Sequence, residues 1–252
     1  MVQLPMMAAV GKLKEEPCCE PRYALVFDLD GTLIRCKSAC TVAWRQALLG
    51  AAQIDASAIR PPTSGGTDEV YLHTVFSNAG AARSGFTGRA AAVRDLYFAL
   101  LTNCIASYGI STTLGCRAFL EEARASGHLL AVATGNYRQS ALIKLRNSSL
   151  LQLFDVISTC DDGLTRADIL RDALRQLNMI ACARGLRLAG SFYFGDTERD
   201  VDAAEEVGIP AILISTSEAR NGHVLALGPD FYVAQGGSII DRLTQWQESS
   251  GR

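Results

Sequence analysis

The stretch LVFDLDGTLI at 25–34 constrains this chain more than any other, because an apolar run ends there in two aspartates and a glycine. Residues 23–27 read as a continuous apolar strand, which is typical of a strand buried on both faces of a sheet. Asp28 and Asp30 are two positions apart, so on a continuing strand their carboxylates would point to the same face and repel each other. We therefore expect either that the strand ends here or that a cation, most simply a metal ion, neutralises both acids.

Strand-like and helix-like segments alternate in the second half of the chain. Apolar stretches that resemble strands are HLLAVATGN, FDVIST, SFYFGD and PAILIS, and the segments between them carry apolar residues at the spacing of amphipathic helices. This alternation predicts an α/β fold with a Rossmann-like, mainly parallel sheet covered by helices on both faces. A short last strand and a closing helix are expected within 231–246. The connection at 180–190 is longer than such units usually need.

The region between the first strand and this alternating part has a different pattern. Residues 37–112 are rich in alanine, show helical periodicity and contain almost no strand signals. We interpret them as a small α-helical domain inserted into one α/β domain, which is formed by 21–36 and 113–252. Residues 1–20 are interpreted as an N-terminal extension, with a short organelle-targeting segment as the alternative.

Polar residues follow three of the predicted strands. In an open parallel sheet, the functional crevice lies outside the carboxyl ends of the strands. Any one of these turns is explained equally well by helix caps or turn residues, but their agreement favours a functional crevice. The residues in question are Asp28 and Asp30, then Thr134, Gly135 and Asn136, then Gly195 and Asp196.

Four short motifs resemble those of the haloacid dehalogenase-like superfamily. They are DLDGTL at 28–33, ATGN at 133–136, TRADIL at 165–170 and GDTERD at 195–200. Their order, and the helical segment after the first motif, resemble the phosphatase branch with an inserted helical cap, specifically its phosphoglycolate phosphatase-like members. The third motif of this family normally supplies a lysine, and Arg166 stands at that place here.

The resemblance implies catalytic roles for the two aspartates and the arginine. Asp28 would be the nucleophile that becomes an aspartyl-phosphate, and Asp30 would protonate the leaving oxygen and later deprotonate the hydrolytic water. Arg166 would supply the cation that faces the phosphoryl group. A lysine at position 144 is the alternative cation, although a lysine seven residues into a helix is more often solvated.

The resemblance also implies a metal and a phosphate site. Mg²⁺ would be held by the Asp28 carboxylate, the Asp30 backbone carbonyl and Asp196, and Asp200 would orient water bound to the metal. The alternative for Asp200 is an ordinary acid in the first turn of a helix. The phosphate oxygens would be held by the Thr134 hydroxyl, the Gly135 amide and, more weakly, Asn136. In the loop at 63–70, Thr67 and Asp68 are interpreted as a helix start rather than as substrate contacts.

These observations predict a Mg²⁺-dependent phosphomonoester hydrolase that acts on a small phosphorylated metabolite through an aspartyl-phosphate. Two alternatives stay open: a phosphomutase of the same fold acting on a sugar phosphate, and a catalytically silent binding protein. The motifs do not separate the hydrolase from the mutase, because both need Asp28 and Asp30.

Composition excludes some other classes. The formal net charge is −2 and the basic residues are scattered, so neither nucleic acid nor an anionic membrane is expected as a partner. No stretch approaches the roughly 20 apolar residues of a membrane helix. The eight cysteines include no C-x-x-C pair and no signal peptide is recognised, so we expect reduced thiols and a cytoplasmic location. The sequence does not determine the oligomeric state.

Overall fold

The computed structural model describes residues 21–55, 66–80, 86–214 and 224–226, together with 243 and 245. Its strands are β1 (Arg22–Phe27), β2 (Ile34–Arg35), β3 (Ser111–Thr112), β4 (Leu129–Ala133), β5 (Val156–Ser158), β6 (Leu188–Gly195), β7 (Ala211–Leu213) and β8 (Val224–Ala226). Its helices are α1 (Lys37–Ala52), α2 (Asp68–Asn78), α3 (Phe86–Tyr108), α4 (Cys116–Ala125), α5 (Arg138–Asn147), α6 (Arg166–Ala183) and α7 (Glu198–Val207). Within these described ranges, no helix combines the length and the apolar character needed to cross a membrane.

The described part of the chain forms a parallel sheet of six strands in the order β5-β4-β1-β6-β7-β8. Strand β1 lies at its centre, with Val26 opposite Ala131 on one side and Tyr193 on the other. The carboxyl ends of β1, β4 and β6 therefore lie side by side. This arrangement confirms the predicted α/β class and places the three polar turns at one edge of the sheet.

Each face of β1 belongs to a separate apolar cluster. Leu25 and Phe27 pack in a cluster that includes residues of α4 and α5, whereas Ala24 and Val26 pack in a cluster that includes residues of α6 and α7. A strand covered by helices on both faces has no solvent-facing side, which explains why its sequence is continuously apolar.

The prediction of a long connection at 180–190 was wrong. Helix α6 continues to Ala183, and β6 already begins at Leu188, so the two elements are joined by residues 184–187 alone. The helix continues because Leu177 and Ala181 keep its apolar stripe buried against the sheet. Gly185 then takes a left-handed backbone conformation with φ 64° and ends the helical segment.

The end of the sheet differs from the sequence prediction in another way. Strand β8 pairs in parallel with β7 and was not predicted, because three residues are too short to show a pattern. The final strand and helix predicted within 231–246 lie outside the described residues, apart from Leu243 and Gln245.

Helices α1, α2 and α3 occupy the region for which an inserted helical domain was predicted. The chain leaves and re-enters the α/β part through β2 and β3, which pair antiparallel. Trp44 of α1 stacks on Tyr97 of α3 with ring centroids 4.0 Å apart. The boundaries of a separate domain at 37–112 stay a prediction.

Asp68 joins this helical insertion to the turn after β4. Its backbone N–H donates to the Gly135 carbonyl at 2.7 Å. Its carboxylate accepts hydrogen bonds from the Tyr137 N–H at 3.0 Å and from the Ser140 hydroxyl at 3.3 Å. Thr67 caps α2 by accepting a hydrogen bond from the Val70 N–H, as a helix start requires. Asp68 is therefore both the first residue of α2 and a buried contact between the insertion and the sheet.

Burial raises the pKa of Asp68 from 3.8 to about 6, against the opposing effect of Lys144. A group whose pKa is higher in the folded state contributes stability at low pH that is lost as the pH rises through the folded pKa. In the wild-type protein, ionisation of Asp68 should lower the unfolding free energy by at most about 3 kcal/mol as the pH rises from 4 to 6. Asp68→Asn should remove this pH-dependent loss. Urea unfolding at several pH values measures it.

The matched control is Asp202→Asn, which removes an exposed acid on α7. The wild-type protein should lose stability relative to Asp68→Asn as the pH rises from 4 to 6, whereas the difference from Asp202→Asn should stay nearly constant. Parallel curves for all three proteins would contradict a buried, protonated Asp68.

Candidate active site

Asp28 follows the last residue of β1 and is almost fully buried. Its backbone N–H donates to the Phe194 carbonyl at 2.8 Å, which extends the β1–β6 pairing by one residue. Its carboxylate oxygen Oδ1 lies 3.0 Å from a guanidinium nitrogen of Arg166. Burial raises the pKa of Asp28 to about 7, although Arg166 opposes that rise. The site thus holds a carboxylate whose charge depends on its cationic neighbours.

The carboxylate of Asp30 lies among different partners. Its Oδ2 accepts hydrogen bonds from the Lys144 ammonium at 2.6 Å and from the Asn136 amide at 2.7 Å. Strand β1 ends at Phe27, before both aspartates, as one of the two sequence alternatives required. Asp28 and Asp30 each face a cation, which offsets the repulsion between the two acids.

Gly31 lies in the turn that follows β1, beside Asp196 at the end of β6. It has a left-handed backbone with φ 96°, which glycine adopts without a steric penalty. A Cβ at this position would lie 2.1 Å from Oδ2 of Asp196. The Thr32 hydroxyl on the same turn donates to Oδ1 of Asp196 at 3.4 Å. The turn thus leaves just enough room for the Asp196 carboxylate and helps to hold it.

Asp200 is buried at the start of α7. Its Oδ2 accepts hydrogen bonds from the backbone N–H groups of Asp196 and Thr197, at 3.2 and 3.0 Å, and from the Thr197 hydroxyl at 2.6 Å. Its Oδ1 accepts from the Tyr193 hydroxyl at 3.1 Å and from Arg166. Asp200 therefore acts as the helix acid that the sequence alternative described, and it also positions Arg166 and the turn that carries Asp196.

Three carboxylates come together as possible metal ligands: Asp28, Asp196 and Asp200, with one oxygen of each within 4.8 Å of the others. Burial and the neighbouring Asp200 raise the pKa of Asp196 to about 6. Oδ1 of Asp28 has an ion pair but no hydrogen bond among the described residues. A cluster of carboxylate oxygens with an unsatisfied buried member fits Mg²⁺, which prefers oxygen ligands.

The predicted metal set of Asp28, Asp30 and Asp196 overlaps this cluster in two members. The Asp30 side chain lies with Lys144 and Asn136 instead. The Asp30 ligand atom predicted from the sequence is the backbone carbonyl, and that role stays a prediction. The sequence predicts that Asp200 orients metal-bound water, and in the structure one of its oxygens lies within 4.8 Å of oxygens of Asp28 and Asp196.

The turn after β4 carries the three predicted phosphate-binding residues. The Asn136 amide donates to the Thr134 hydroxyl oxygen at 2.7 Å, and its carbonyl oxygen accepts from Lys144 at 2.6 Å. A Cβ on Gly135 would lie 2.6 Å from the Gly66 carbonyl oxygen, so only glycine fits beside the insertion here. The Asn136 side chain is therefore fully used in linking Thr134, Asp30 and Lys144, which sequence reasoning did not indicate.

Two cations stand in the described part of the site. Arg166, whose side chain is largely buried, is the first residue of α6 and lies within the capping box formed by Thr165 and Asp168. Lys144 is also buried, so the expectation of a solvated lysine was wrong. Burial alone would lower the pKa of each cation, but Asp28 and Asp200 hold the pKa of Arg166 well above its usual range, and Asp30 and its neighbours do the same for Lys144.

A cavity of about 460 Å³ opens over these groups. The acids, the cations and the β4 turn form one wall. The helical insertion and Cys36, the residue that precedes it, form the other wall, which was not predicted because its members resemble ordinary positions of helices. That wall includes Cys36, Cys40, Thr41, Trp44, Asp68 and Tyr97.

Comparison with known proteins shows which family has this arrangement. The family model described as haloacid dehalogenase-like hydrolase matches residues 25–214. Phosphoglycolate phosphatase of Synechococcus elongatus is 25% identical over 131 residues, which cover 52% of this chain and 58% of that protein. The chain thus spans a little over half the length of this curated relative.

Solved structures of low sequence identity share the fold. CbbY from Rhodobacter sphaeroides, in complex with phosphate, superposes with a TM-score of 0.58 at 23% identity, covering 75% of this chain and 84% of that chain. The β-phosphoglucomutase of Clostridium difficile superposes with a TM-score of 0.64 at 14% identity, covering 91% and 99%.

The family match begins inside β1 and ends just after β7, so it includes every strand whose carboxyl end contributes to the cavity. The resemblance inferred from the four short motifs is confirmed. The chain belongs to the haloacid dehalogenase-like hydrolase family.

Proposed function

We propose that this protein is a Mg²⁺-dependent phosphatase that hydrolyses a small phosphorylated metabolite through an aspartyl-phosphate on Asp28. The observation that supports this most strongly is the placement of Asp28. Its buried carboxylate lies at the edge of a cavity of metabolite size, against Arg166 and beside Asp196 and Asp200. A nucleophile for phosphoryl transfer needs this combination of fixed position and surrounding charge.

In the first half of the reaction, an oxygen of Asp28 attacks phosphorus and the bond to the substrate's ester oxygen breaks. Asp30 protonates that leaving oxygen. In the second half, Asp30 removes a proton from water, which attacks the aspartyl-phosphate and regenerates the Asp28 carboxylate. Lys144 and Asn136 both engage Oδ2 of Asp30, and we assign the proton transfers to Oδ1.

The remaining residues stabilise the charge of the transferring phosphoryl group. Arg166 lies against Asp28, so its guanidinium is the cation that we assign to the phosphoryl oxygens. The Thr134 hydroxyl and the Gly135 amide are assigned to the same oxygens. Lys144 is assigned to Asp30 instead, as a group that fixes the acid–base carboxylate in place.

The residues that would hold Mg²⁺ are Asp28, Asp196 and the backbone carbonyl of Asp30, with Asp200 orienting the site. When bound, the ion would offset the negative charge that these acids and a phosphate dianion bring together. The helical insertion at 37–112 would act as a cap that excludes bulk water and contacts the organic part of the substrate.

The first test is phosphate release by the purified full chain on a panel of small phosphomonoesters that includes phosphoglycolate and sugar monophosphates. We expect release that depends on Mg²⁺ and stops with a chelator. Asp28→Asn should lose on the order of 10⁴-fold or more in kcat, because the nucleophile is gone. Asp202→Asn, an exposed acid, is the matched control and should keep the wild-type rate.

Retained turnover in a folded Asp28→Asn variant would remove the nucleophile assignment. Release from no ester would favour a binding protein. If turnover appeared only on adding a sugar bisphosphate, with isomerised sugar phosphate as the product, the mutase alternative would hold.

Replacing Arg166 and replacing Lys144 should change different kinetic parameters. Arg166→Ala should lower kcat/KM by about 10²–10³-fold, because a preorganised charge on the phosphoryl group is removed, and Arg166→Lys should recover much of this loss. Arg171→Ala, which removes an exposed arginine from the same helix, is the control. Steady-state kinetics on the best ester measures these values.

Lys144→Met should lower kcat by about 10²-fold with little change in KM, because the acid–base carboxylate loses its fixed position while the phosphate contacts stay. Methionine fills a similar volume and the Asp30 carboxylate left behind is partly exposed to solvent, so folding should survive the loss of this ion pair. A rise in KM with unchanged kcat would instead place Lys144 on the substrate phosphate.

Replacing Gly31 should weaken Mg²⁺ binding through a direct collision with Asp196. Gly31→Ala and Gly208→Ala both force a side chain into a left-handed backbone, at a cost of about 1 kcal/mol. Only the Cβ at position 31 would collide with Asp196, since the one at position 208 meets nothing within 4 Å. Calorimetric titration should show Mg²⁺ affinity about 10–100-fold weaker for Gly31→Ala and nearly unchanged for Gly208→Ala. Equal affinities would contradict Asp196 as a ligand.

A further inference from the structure

A pair of cysteines lies in the wall of the cavity that belongs to the helical insertion. Cys36 is the N-cap residue of α1 and Cys40 lies one turn further along the helix. Their sulfur atoms are 3.5 Å apart, and the Cys40 thiol donates to the Cys36 sulfur. Both side chains line the cavity that contains Asp28 and Asp30. The proposed mechanism gives neither thiol a role.

The geometry of the pair allows a disulfide with little movement of the backbone. The Cys40 N–H donates to the Cys36 carbonyl at 3.1 Å, so the two residues are already held in one turn. Closing the sulfurs to the roughly 2.05 Å of a disulfide needs small side-chain rotations, because the sulfurs already touch. No other pair among the described cysteines has a sulfur–sulfur contact of this kind.

The surroundings also favour reaction at Cys36. The hydrogen bond from Cys40 lowers the pKa of the Cys36 thiol, and the positive charge of Lys144 acts in the same direction. Burial raises the pKa of the thiols of Cys104, Cys116 and Cys160. Since the thiolate is the reactive form, Cys36 is the better nucleophile of these four.

We propose that Cys36 and Cys40 are a redox modification site, at which a low-molecular-weight disulfide such as oxidised glutathione forms a reversible intramolecular disulfide that slows catalysis. The Cys36 thiolate attacks one sulfur of the oxidant, forms a mixed disulfide and releases one thiolate. The Cys40 thiolate then attacks the Cys36 sulfur and releases the second. Two protein thiols are thereby oxidised, and the oxidant is reduced to two thiols.

The effect on catalysis follows from the position of the pair. Cys36 directly follows β2, where the insertion joins the α/β part, and the first turn of α1 leads to Thr41 and Trp44 in the cavity wall. A disulfide across this turn changes the shape of the cavity wall opposite Asp30. It also restricts movement at the junction between the insertion and the α/β part. This part of the inference rests on the proposed phosphatase function.

The test oxidises the full chain with oxidised glutathione, blocks free thiols with an alkylating reagent and maps the tryptic peptides by mass. Trypsin cleaves after Arg35, Lys37 and Arg45, so the disulfide joins peptide 36–37 to peptide 38–45. We expect this linked product to form and to disappear with a reductant. Phosphatase activity should fall severalfold on oxidation and recover on reduction.

Variants isolate the pair from the other thiols. Cys36→Ser and Cys40→Ser should each abolish the linked product and the response to oxidation, with each variant compared to its own reduced form. Cys182→Ser removes an exposed cysteine near the end of α6 and should keep both the linked product and the response to oxidation. The two serine variants serve as checks on each other if one of them folds poorly.

The outcomes separate this inference from the proposed function. Glutathione found on Cys182 with no linked product would overturn the modification site, and a linked product with unchanged activity would overturn its effect on catalysis. A linked product in a protein that hydrolyses no phosphomonoester would support the disulfide and contradict the phosphatase.

Discussion

The gathering of four carboxylates at one edge of the sheet is the constraint on which the rest of the site depends. Asp28 and Asp30 follow β1, and Asp196 and Asp200 follow β6, which pairs directly with β1. In a partly buried site such a concentration of like charge is strongly unfavourable. Two cations offset this repulsion: the largely buried Arg166 pairs with Asp28 and Asp200, and the buried Lys144 pairs with Asp30.

The buried acids also differ in how many hydrogen bonds their carboxylates accept. Asp200 receives hydrogen bonds from several donors and serves as a fixed anchor. Within the part of the chain that the structure describes, Oδ1 of Asp28 has an ion pair but no hydrogen bond, and burial raises the pKa of Asp28 to about 7. A carboxylate kept short of partners is costly for folding, and active sites commonly keep such groups because the missing partner is supplied by a ligand.

The sequence was sufficient for the features that leave a local pattern. The buried strands could be predicted because both faces of β1 are covered, and the acids could be found because they interrupt those strands. The burial of Lys144 could not be predicted, because this residue shares the buried face of α5 with Ala141 and Leu145 and its partner Asp30 is 114 positions away in the sequence. The docking of Asp68 on Tyr137 likewise depends on where the insertion lies, which spacing does not encode.

The contacts of the β4 turn connect the insertion to Asp30, the carboxylate proposed as acid and base. Residue 135 accepts a hydrogen bond from the Asp68 N–H of the insertion, and the next residue, Asn136, binds both Asp30 and Lys144. Tyr137 then donates back to the Asp68 carboxylate. Because neighbouring backbone groups carry these contacts, a shift of α2 relative to the sheet would move Asn136 and with it the partners of Asp30. The groups that complete the cavity wall and the groups that orient the Asp30 carboxylate therefore belong to one hydrogen-bonded network, which physically links the position of the insertion to the geometry of the proposed catalytic site.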